Sequence, residues 1–189
     1  MNREAKLFII SGPSGVGKTT IAQKLFQEVE GLVGSISCTT RERRGAERDG
    51  IDYRFISSGK FQDLIKEGAF LEWAGILESL YGTLRDDIEA QIAAGNDVLL
   101  CIDVQGAAQV LKEKPDTVAI FIMPPNIEEL RIRLLNRGES EGEIERRIDL
   151  AKKEIERVSH YHRVVYNDVL HKAVDLVKSI VYAERQKMV

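Results

Sequence analysis

Gly12-Pro13-Ser14-Gly15-Val16-Gly17-Lys18-Thr19 is the stretch on which the reading of this chain turns. It follows the spacing G-x-x-x-x-G-K-S/T, in which a glycine-rich loop wraps a phosphate. The spacing carries weight only between a strand and a helix, and both are expected here. Lys6-Leu7-Phe8-Ile9-Ile10 is a short apolar run suited to a buried parallel strand. Behind Thr19, the residues Ile21, Ala22, Leu25, Phe26 and Val29 recur at helical spacing, and Gly31 stops the run. Three glycines allow successive N–H groups to turn toward one anion. The following helix adds the positive end of its dipole. Lys18 brings a full charge toward the β- and γ-phosphates, and the Thr19 hydroxyl is suited to Mg²⁺. An ordinary glycine-rich turn with a lysine at a helix start gives no reason for the whole pattern in this context. The stretch implies a bound nucleoside triphosphate and leaves open the fate of its γ-phosphate.

The 189 residues suit one α/β unit with small insertions. With 43% hydrophobic and 30% charged residues, the composition is that of a soluble globular protein. A formal net charge of −3 offers no basic surface for nucleic acid or membrane. The two cysteines, Cys38 and Cys101, have no metal spacing and do not form a disulfide framework, so reduced thiols in the cytoplasm are expected. The amino terminus runs straight into the first strand, which leaves no room for a leader peptide, and no apolar run reaches membrane-spanning length.

Along the chain, residues 33–40 read as a second strand with small polar residues toward its carboxyl end, the end at which open α/β sheets bind ligands. The polar stretch 41–50 follows, then a short strand at 53–56, a Ser57-Ser58 cap and a helix over 59–67. Residues 70–74 read as a strand and 80–83 as a turn. The short pieces over 35–82, with strands suited to antiparallel pairing, form an inserted substrate-binding subdomain. The core pattern then resumes with a helix over 86–94, a strand over 98–103, a helix over 106–112 and a strand over 117–122 stopped by Pro124-Pro125. Helices over 127–135 and 146–158 flank a polar loop at 136–142; a last strand over 164–168 and a closing helix from 170 complete the chain. Strands alternating with helices argue a doubly wound parallel sheet.

Three groups of residues invite chemistry. Arg41, Arg43, Arg44 and Arg48 fall close together after a strand end, and guanidinium groups hold phosphate oxygens in paired hydrogen bonds. Glu42, Glu47 and Asp49 are interleaved, so a solvated, self-neutralised loop is the equal alternative. Arg131, Arg133, Arg137, Arg146 and Arg147 flank the loop at 136–142, where a hinged flap can stabilise a phosphoryl group in transfer and exclude water. Four nearby glutamates, Glu139, Glu141, Glu143 and Glu145, allow the plainer reading of helix-surface ion pairs. Glu72 with Asp103 is suited to the N–H and amino edge of a guanine-type base, although Glu72 alone reads as an exposed strand carboxylate. His160, His162 and His171 lack a set of metal partners and read as structural or surface residues, and Trp73 reads as core.

These residues resemble those of a guanylate kinase, an ATP:GMP phosphotransferase, over nearly the whole chain. The phosphate loop looks like that family's. So do Ser37-x-Thr39-Thr40-Arg41-x-x-Arg44 with Glu47, Gly50 and Tyr53, then Phe70-Leu71-Glu72, Tyr81-Gly82-Thr83, Ile102-Asp103-Val104-Gln105-Gly106, Arg133-Leu134 with Arg137-Gly138, and Asn167-Asp168. The resemblance implies a P-loop NTPase-type three-layer fold with a parallel central sheet. It divides the chain into a core (1–34, 84–126 and 149–189), a GMP-binding subdomain (35–83) and a small helical lid (127–148). It implies that Gly12 to Thr19 bind ATP and that Thr19 meets Mg²⁺. Ser37, Arg41, Arg44, Tyr53 and Tyr81 would hold the GMP phosphate, and Glu72, Thr83 and Asp103 would read guanine. Lys18, Arg41, Arg133, Arg137 and Arg147 would serve catalysis. The implied reaction is Mg²⁺-dependent transfer of the ATP γ-phosphoryl group to GMP or dGMP in purine nucleotide metabolism and GMP recycling. The implied enzyme is cytoplasmic, a monomer or homodimer, with small-molecule substrates and neither nucleic-acid nor membrane partners.

Three departures from the family pattern stand out. Cys101 occupies a position where the family commonly has an acid that organises Mg²⁺, and a thiol suits that ion poorly. Ala46 stands where a glycine is usual, a strained placement if that position needs a positive φ. The segment 159–164 is short where relatives approach adenine. Two other readings stay open: a P-loop kinase for another phosphate ester, in which Glu72 and Thr83 would be idle, and an inert kinase-like module that binds protein partners.

Overall fold

Apolar runs without polar interruption form strands covered on both faces, and three of them make the middle of this molecule. The computed structural model describes residues 4–187. The strands β1 (Leu7–Ser11), β7 (Asp97–Cys101) and β8 (Val118–Met123) pair side by side, all parallel. Shorter strands β2 (Leu32–Gly34) and β9 (Arg163–Tyr166) complete a five-stranded sheet in the order β2, β7, β1, β8, β9. Period-two alternation along β1 sends Phe8 and Ile10 to one face and Leu7 and Ile9 to the other. The first face is covered by α1 (Lys18–Glu28), through Ile21 and Leu25, and by α7 (Leu170–Gln186), through Val174, Val177 and Val181. The second is covered by α3 (Arg85–Ala93), through Ile88, and α4 (Val104–Glu113), through Ala107 and Val110. This is the expected three-layer fold with a parallel central sheet.

The stretch 33–40 differs from its reading as one strand. The chain leaves the central sheet at Gly34 and starts a second sheet with β3 (Cys38–Thr39). That sheet runs β4 (Arg54–Phe55), β3, β6 (Ser79–Leu84), β5 (Phe70–Ile76). β5 and β3 are antiparallel to β6, whereas β4 lies parallel to β3. Residues 80–83 are therefore inside a strand, not a turn. Gly82 serves packing there: a Cβ would lie 2.8 Å from the Phe70 ring, which itself stacks on Phe61 of α2 (Ser58–Lys66) with centroids 4.5 Å apart. Trp73, expected in the core, is 40% exposed, because alternation along β5 buries its neighbours Glu72 and Ala74.

The remaining helices, α5 (Ile127–Leu135) and α6 (Glu141–Ile155), pack on each other through Leu130, Leu134, Ile144, Ile148 and Ala151. α6 starts earlier than its apolar spacing predicts, because Ser140 and Glu143 form a reciprocal capping box. It also runs on past residue 148, so its carboxyl-terminal turns reach the core. His162 is structural, as expected: its Nδ1 accepts the Ala119 N–H at 3.0 Å.

Asp97, fully buried at the start of β7, ties the two ends of the fold together. It accepts the Lys6 N–H at 2.7 Å and the Arg185 Nε–H of α7 at 2.7 Å. Replacing one member of a buried charged pair costs roughly 3–5 kcal/mol. Asp97→Ala should lower the unfolding free energy in urea by about that much, and Asp97→Asn, which keeps an acceptor for Lys6, by less.

Candidate active site

The loop between β1 and α1 is shaped by close approach as much as by charge. Gly12 (φ 137°) and Gly17 (φ 105°) both have left-handed backbone. A Cβ on Gly12 would overlap the Ile122 carbonyl at the end of β8, and one on Gly17 would lie 2.5 Å from the Asn167 amide. That amide, buried after β9, donates to the Val16 carbonyl at 2.7 Å. Lys18 donates to the carbonyls of Gly12 (2.5 Å) and Pro13 (3.0 Å). Burial lowers the pKa of Lys18, while the nearby Glu154, Cys101 and Asp103 oppose that shift. Thr19 is exposed in the first turn of α1.

The basic stretch after β3 resolves into two kinds of residue. Its acids are engaged with the loop itself. Glu47 grips the Arg41 guanidinium with both oxygens (2.7 and 2.6 Å) and accepts the Arg44 N–H at 2.9 Å; Asp49 accepts the Phe55 N–H and Asp52 the Arg48 N–H. The Glu47 carboxylate raises the pKa of Arg41, and Arg41 lowers that of Glu47. Arg41 also lies over Tyr53, 4.9 Å from the ring centre, and Tyr53 meets Tyr81 edge-on at 6.1 Å. Arg44 is exposed, and Ser37 stands half-buried just ahead of β3. The left-handed residues in this loop are Gly45 (φ 48°) and Gly50 (φ 73°), so Ala46 escapes the strain its position implied.

Glu72, expected as an exposed carboxylate when taken alone, is buried, 4% exposed. The Thr83 hydroxyl donates to its Oε1 at 2.6 Å. A Cβ on Gly106 would overlap its Oε2, so α4 can approach this carboxylate only with glycine at that position. Burial pushes the Glu72 carboxyl up to about 7, with the Thr83 hydrogen bond opposing. Asp103 caps α4, accepting the Gly106 N–H at 2.9 Å and the Gln105 amide at 3.1 Å. A cavity of about 460 Å³ opens beside Asp103, between the tip of the β5–β6 hairpin at Leu77 and helix α6.

The arginines of α5 and α6 divide in the same way. Arg131 is held by Glu141 and Glu145, the helix-surface pairing. Arg133 donates to the Asn167 carbonyl at 2.9 Å and the Val16 carbonyl at 3.4 Å, with Glu129 alongside. Arg147 pairs with Glu139 at 2.6 Å and donates to the Ser14 hydroxyl. Arg137 is exposed, and its charge helps to lower Lys18. Both Arg133 and Arg147 thus touch the phosphate loop from helices more than a hundred residues away in sequence. Sequence reasoning missed Glu154, which is buried against the same loop. A charged residue falling on the apolar stripe of Ile144, Ile148 and Ala151 was its available signal.

Among the described residues, no three His, Cys, Asp or Glu side chains cluster to hold a metal ion. Burial pushes the Cys101 thiol up to about 11, leaving it neutral and unsuited to Mg²⁺. Thr19 fits the usual protein share of such a site, in which Mg²⁺ rides mainly on phosphates and water.

A phosphate loop at the carboxyl end of a parallel sheet, arginines from α5 and α6 that touch it, and a second cluster around Arg41 and Tyr53 are the marks of a P-loop nucleotide phosphotransferase. A sequence profile described as guanylate kinase matches residues 4–184. The chain is 44% identical to a guanylate kinase of Syntrophomonas wolfei over 100% of its own length and 97% of that protein's. It is also 44% identical to one of Thermotoga maritima, covering 98% and 90% of the two chains. The crystal structure of guanylate kinase from Anaplasma phagocytophilum superposes with a TM-score of 0.82 at 32% identity, covering 100% of this chain and 89% of that one. The chain belongs to the guanylate kinase family.

The raised pKa of Glu72 has a consequence for stability. Its folded-state value of about 7 exceeds the ordinary 4.5, so the folded protein holds this proton more tightly than the unfolded chain. The associated stability is full below pH 4.5 and is lost as pH rises through 7. Relative to wild type, Glu72→Gln should gain up to roughly 3 kcal/mol between pH 5 and pH 8 in urea unfolding.

Proposed function

We infer that this chain transfers the γ-phosphoryl group of ATP to GMP, giving ADP and GDP, and accepts dGMP through the same contacts. Family membership supports the reaction, and the buried Glu72–Thr83 pair, placed on its own subdomain across from the phosphate loop, is the observation that favours a guanine acceptor. In this reading residues 35–83 receive GMP, 127–148 act as the lid, and the rest forms the core.

The N–H groups of residues 12–19 and the Lys18 ammonium bind the donor phosphates. Thr19 would hold the Mg²⁺ that accompanies ATP, and that ion would offset the charge on the phosphates. Arg41 and Arg44, with Ser37, Tyr53 and Tyr81, hold the acceptor phosphate. Arg41 is already pre-set by Glu47 and the Tyr53 ring, so little side-chain freedom is lost on binding. Ionised Glu72 accepts the N–H and amino hydrogens of guanine, with Thr83 and Asp103 completing the edge. A wrong base leaves that buried carboxylate unpaired, which gives strong discrimination. Arg133, Arg137 and Arg147 surround the transferring group and exclude water. The attacking phosphate oxygen is already ionised, so no general base is required; alignment and electrostatics carry the step. The enzyme works on free nucleotides in the cytoplasm, as a monomer or homodimer. Among the described residues no helix is long and apolar enough to cross a membrane.

An ADP-release assay with ATP and each nucleoside monophosphate tests the assignment. Turnover should be strong with GMP, and lower by roughly a hundredfold or more with AMP, CMP and UMP. Lys18→Ala should lower it by a similar factor. Equal rates on all four acceptors would rule out guanine reading, and failure to bind ATP would point to the inert module instead.

Cys101→Asp restores a hard oxygen donor beside Lys18 and should lower the Mg²⁺ concentration at half-maximal rate. An unchanged Mg²⁺ titration would mean that Thr19, phosphates and water already suffice.

A further inference from the structure

Glu154 has no part in the reading above, yet it borders the phosphate loop. It lies on the buried stripe of α6 and is 6% exposed. Its carboxylate lies near the backbone N–H of Ser14, at the front of the loop. Its Oε2 is buried without a hydrogen-bond partner. Among the charges acting on Lys18, that of Glu154 is the largest. Asp103 repels it from the cap of α4, and the Tyr161 hydroxyl lies within its field. A buried carboxylate with unmet hydrogen-bonding capacity is costly to keep. The hydrophobic contacts of α6 do not need it, since Ile144, Ile148 and Ala151 already seal that face.

We propose that Glu154 belongs to the donor site and sets its phosphate affinity, by competing with the nucleotide for the Ser14 N–H and for the charge of Lys18. The inference rests on the reading of residues 12–19 as the donor-phosphate loop. An inward-turned N–H serves one anion well, so a carboxylate and a phosphate oxygen contend for it. Two negative groups sharing one buried ammonium also repel each other. The competitor comes from α6, the same helix whose Arg147 holds the Ser14 hydroxyl. One helix therefore meets Ser14 twice, with Arg147 on its hydroxyl and Glu154 near its N–H. A phosphate that displaces Glu154 alters the seating of that helix, and a departing ADP is helped off as Glu154 returns.

The test is calorimetric titration of the full chain with ADP, without Mg²⁺, at pH 8, where a carboxyl shifted to about 7 is mostly ionised. Glu154→Gln keeps size and an acceptor oxygen but removes the charge. It should bind ADP roughly tenfold more tightly, with GMP affinity unchanged. Glu154→Asp keeps the charge and should stay within about threefold of wild type. Should the Gln variant melt below the assay temperature, Glu154→Ser, neutral and smaller, carries the same expectation. Unchanged or weaker ADP binding in a folded neutral variant overturns the proposal. If wild type binds no ADP, or Lys18→Ala binds it equally well, the donor-loop reading fails instead.

Discussion

The Asn167 amide donates to the Val16 carbonyl at 2.7 Å, and the form of the donor site follows from that contact. A phosphate loop works only if its N–H groups converge, which means that its carbonyls must face outward and find donors elsewhere. Asn167 supplies one donor from the end of β9, and Gly17 must lack a Cβ to let it in. Arg133 then binds the Asn167 carbonyl and reaches the Val16 carbonyl too. Asn167, through its side-chain amide and its backbone carbonyl, thus joins the loop, the last strand of the central sheet and helix α5. Movement of α5 is felt at the loop through direct hydrogen bonds.

The distribution of acids solves a related difficulty. Arginines gathered to meet phosphates repel one another, and here most are held in place by carboxylates from their own segment. Glu47 fixes Arg41, Glu139 fixes Arg147, and Glu129 lies against Arg133. These partners are what made the loops look self-neutralising in sequence. Arg133 and Glu129 are partly exposed, which keeps that pair modest in energy, whereas Arg41 with Glu47 and Arg147 with Glu139 are more buried and hold their guanidinium groups more firmly. Exposed Arg44 and Arg137 have no such restraint to overcome.

How much of this was legible follows from what each signal depends on. The phosphate loop and the buried strands were legible because local pattern and fold agree there. Residues 33–40 were not, since nothing local distinguishes a strand that changes sheets at Gly34 from one that continues. Tyr81-Gly82 read as a turn because glycine usually marks one, whereas Gly82 is required by the Phe70 and Phe61 rings, contacts distant in sequence. Trp73 was misplaced by composition, although strict alternation with Glu72 and Ala74 already put it outside. In the site, the roles proposed for Arg41 and Glu72 rest on residue type and resemblance. The burial of Glu72 depends on Gly106, which approaches it only after α4 has docked.

Glu72 and Glu154 show one physical cause serving two ends of a reaction. Both are buried carboxyls pushed up to about 7 by desolvation, and both lie near Asp103. Their partners separate them. Glu72 meets a neutral hydroxyl, so its unmet capacity is directed at a ligand that brings hydrogen-bond donors. Glu154 lies near a loop N–H and within the field of an ammonium, groups that a phosphate also needs. In the proposed reading the first is relieved when a base binds and so favours binding, whereas the second is opposed by the incoming phosphate and so limits it. A transferase that must release ADP as readily as it takes up GMP gains from having both. Asp103, at the cap of α4, acts electrostatically on both carboxyls.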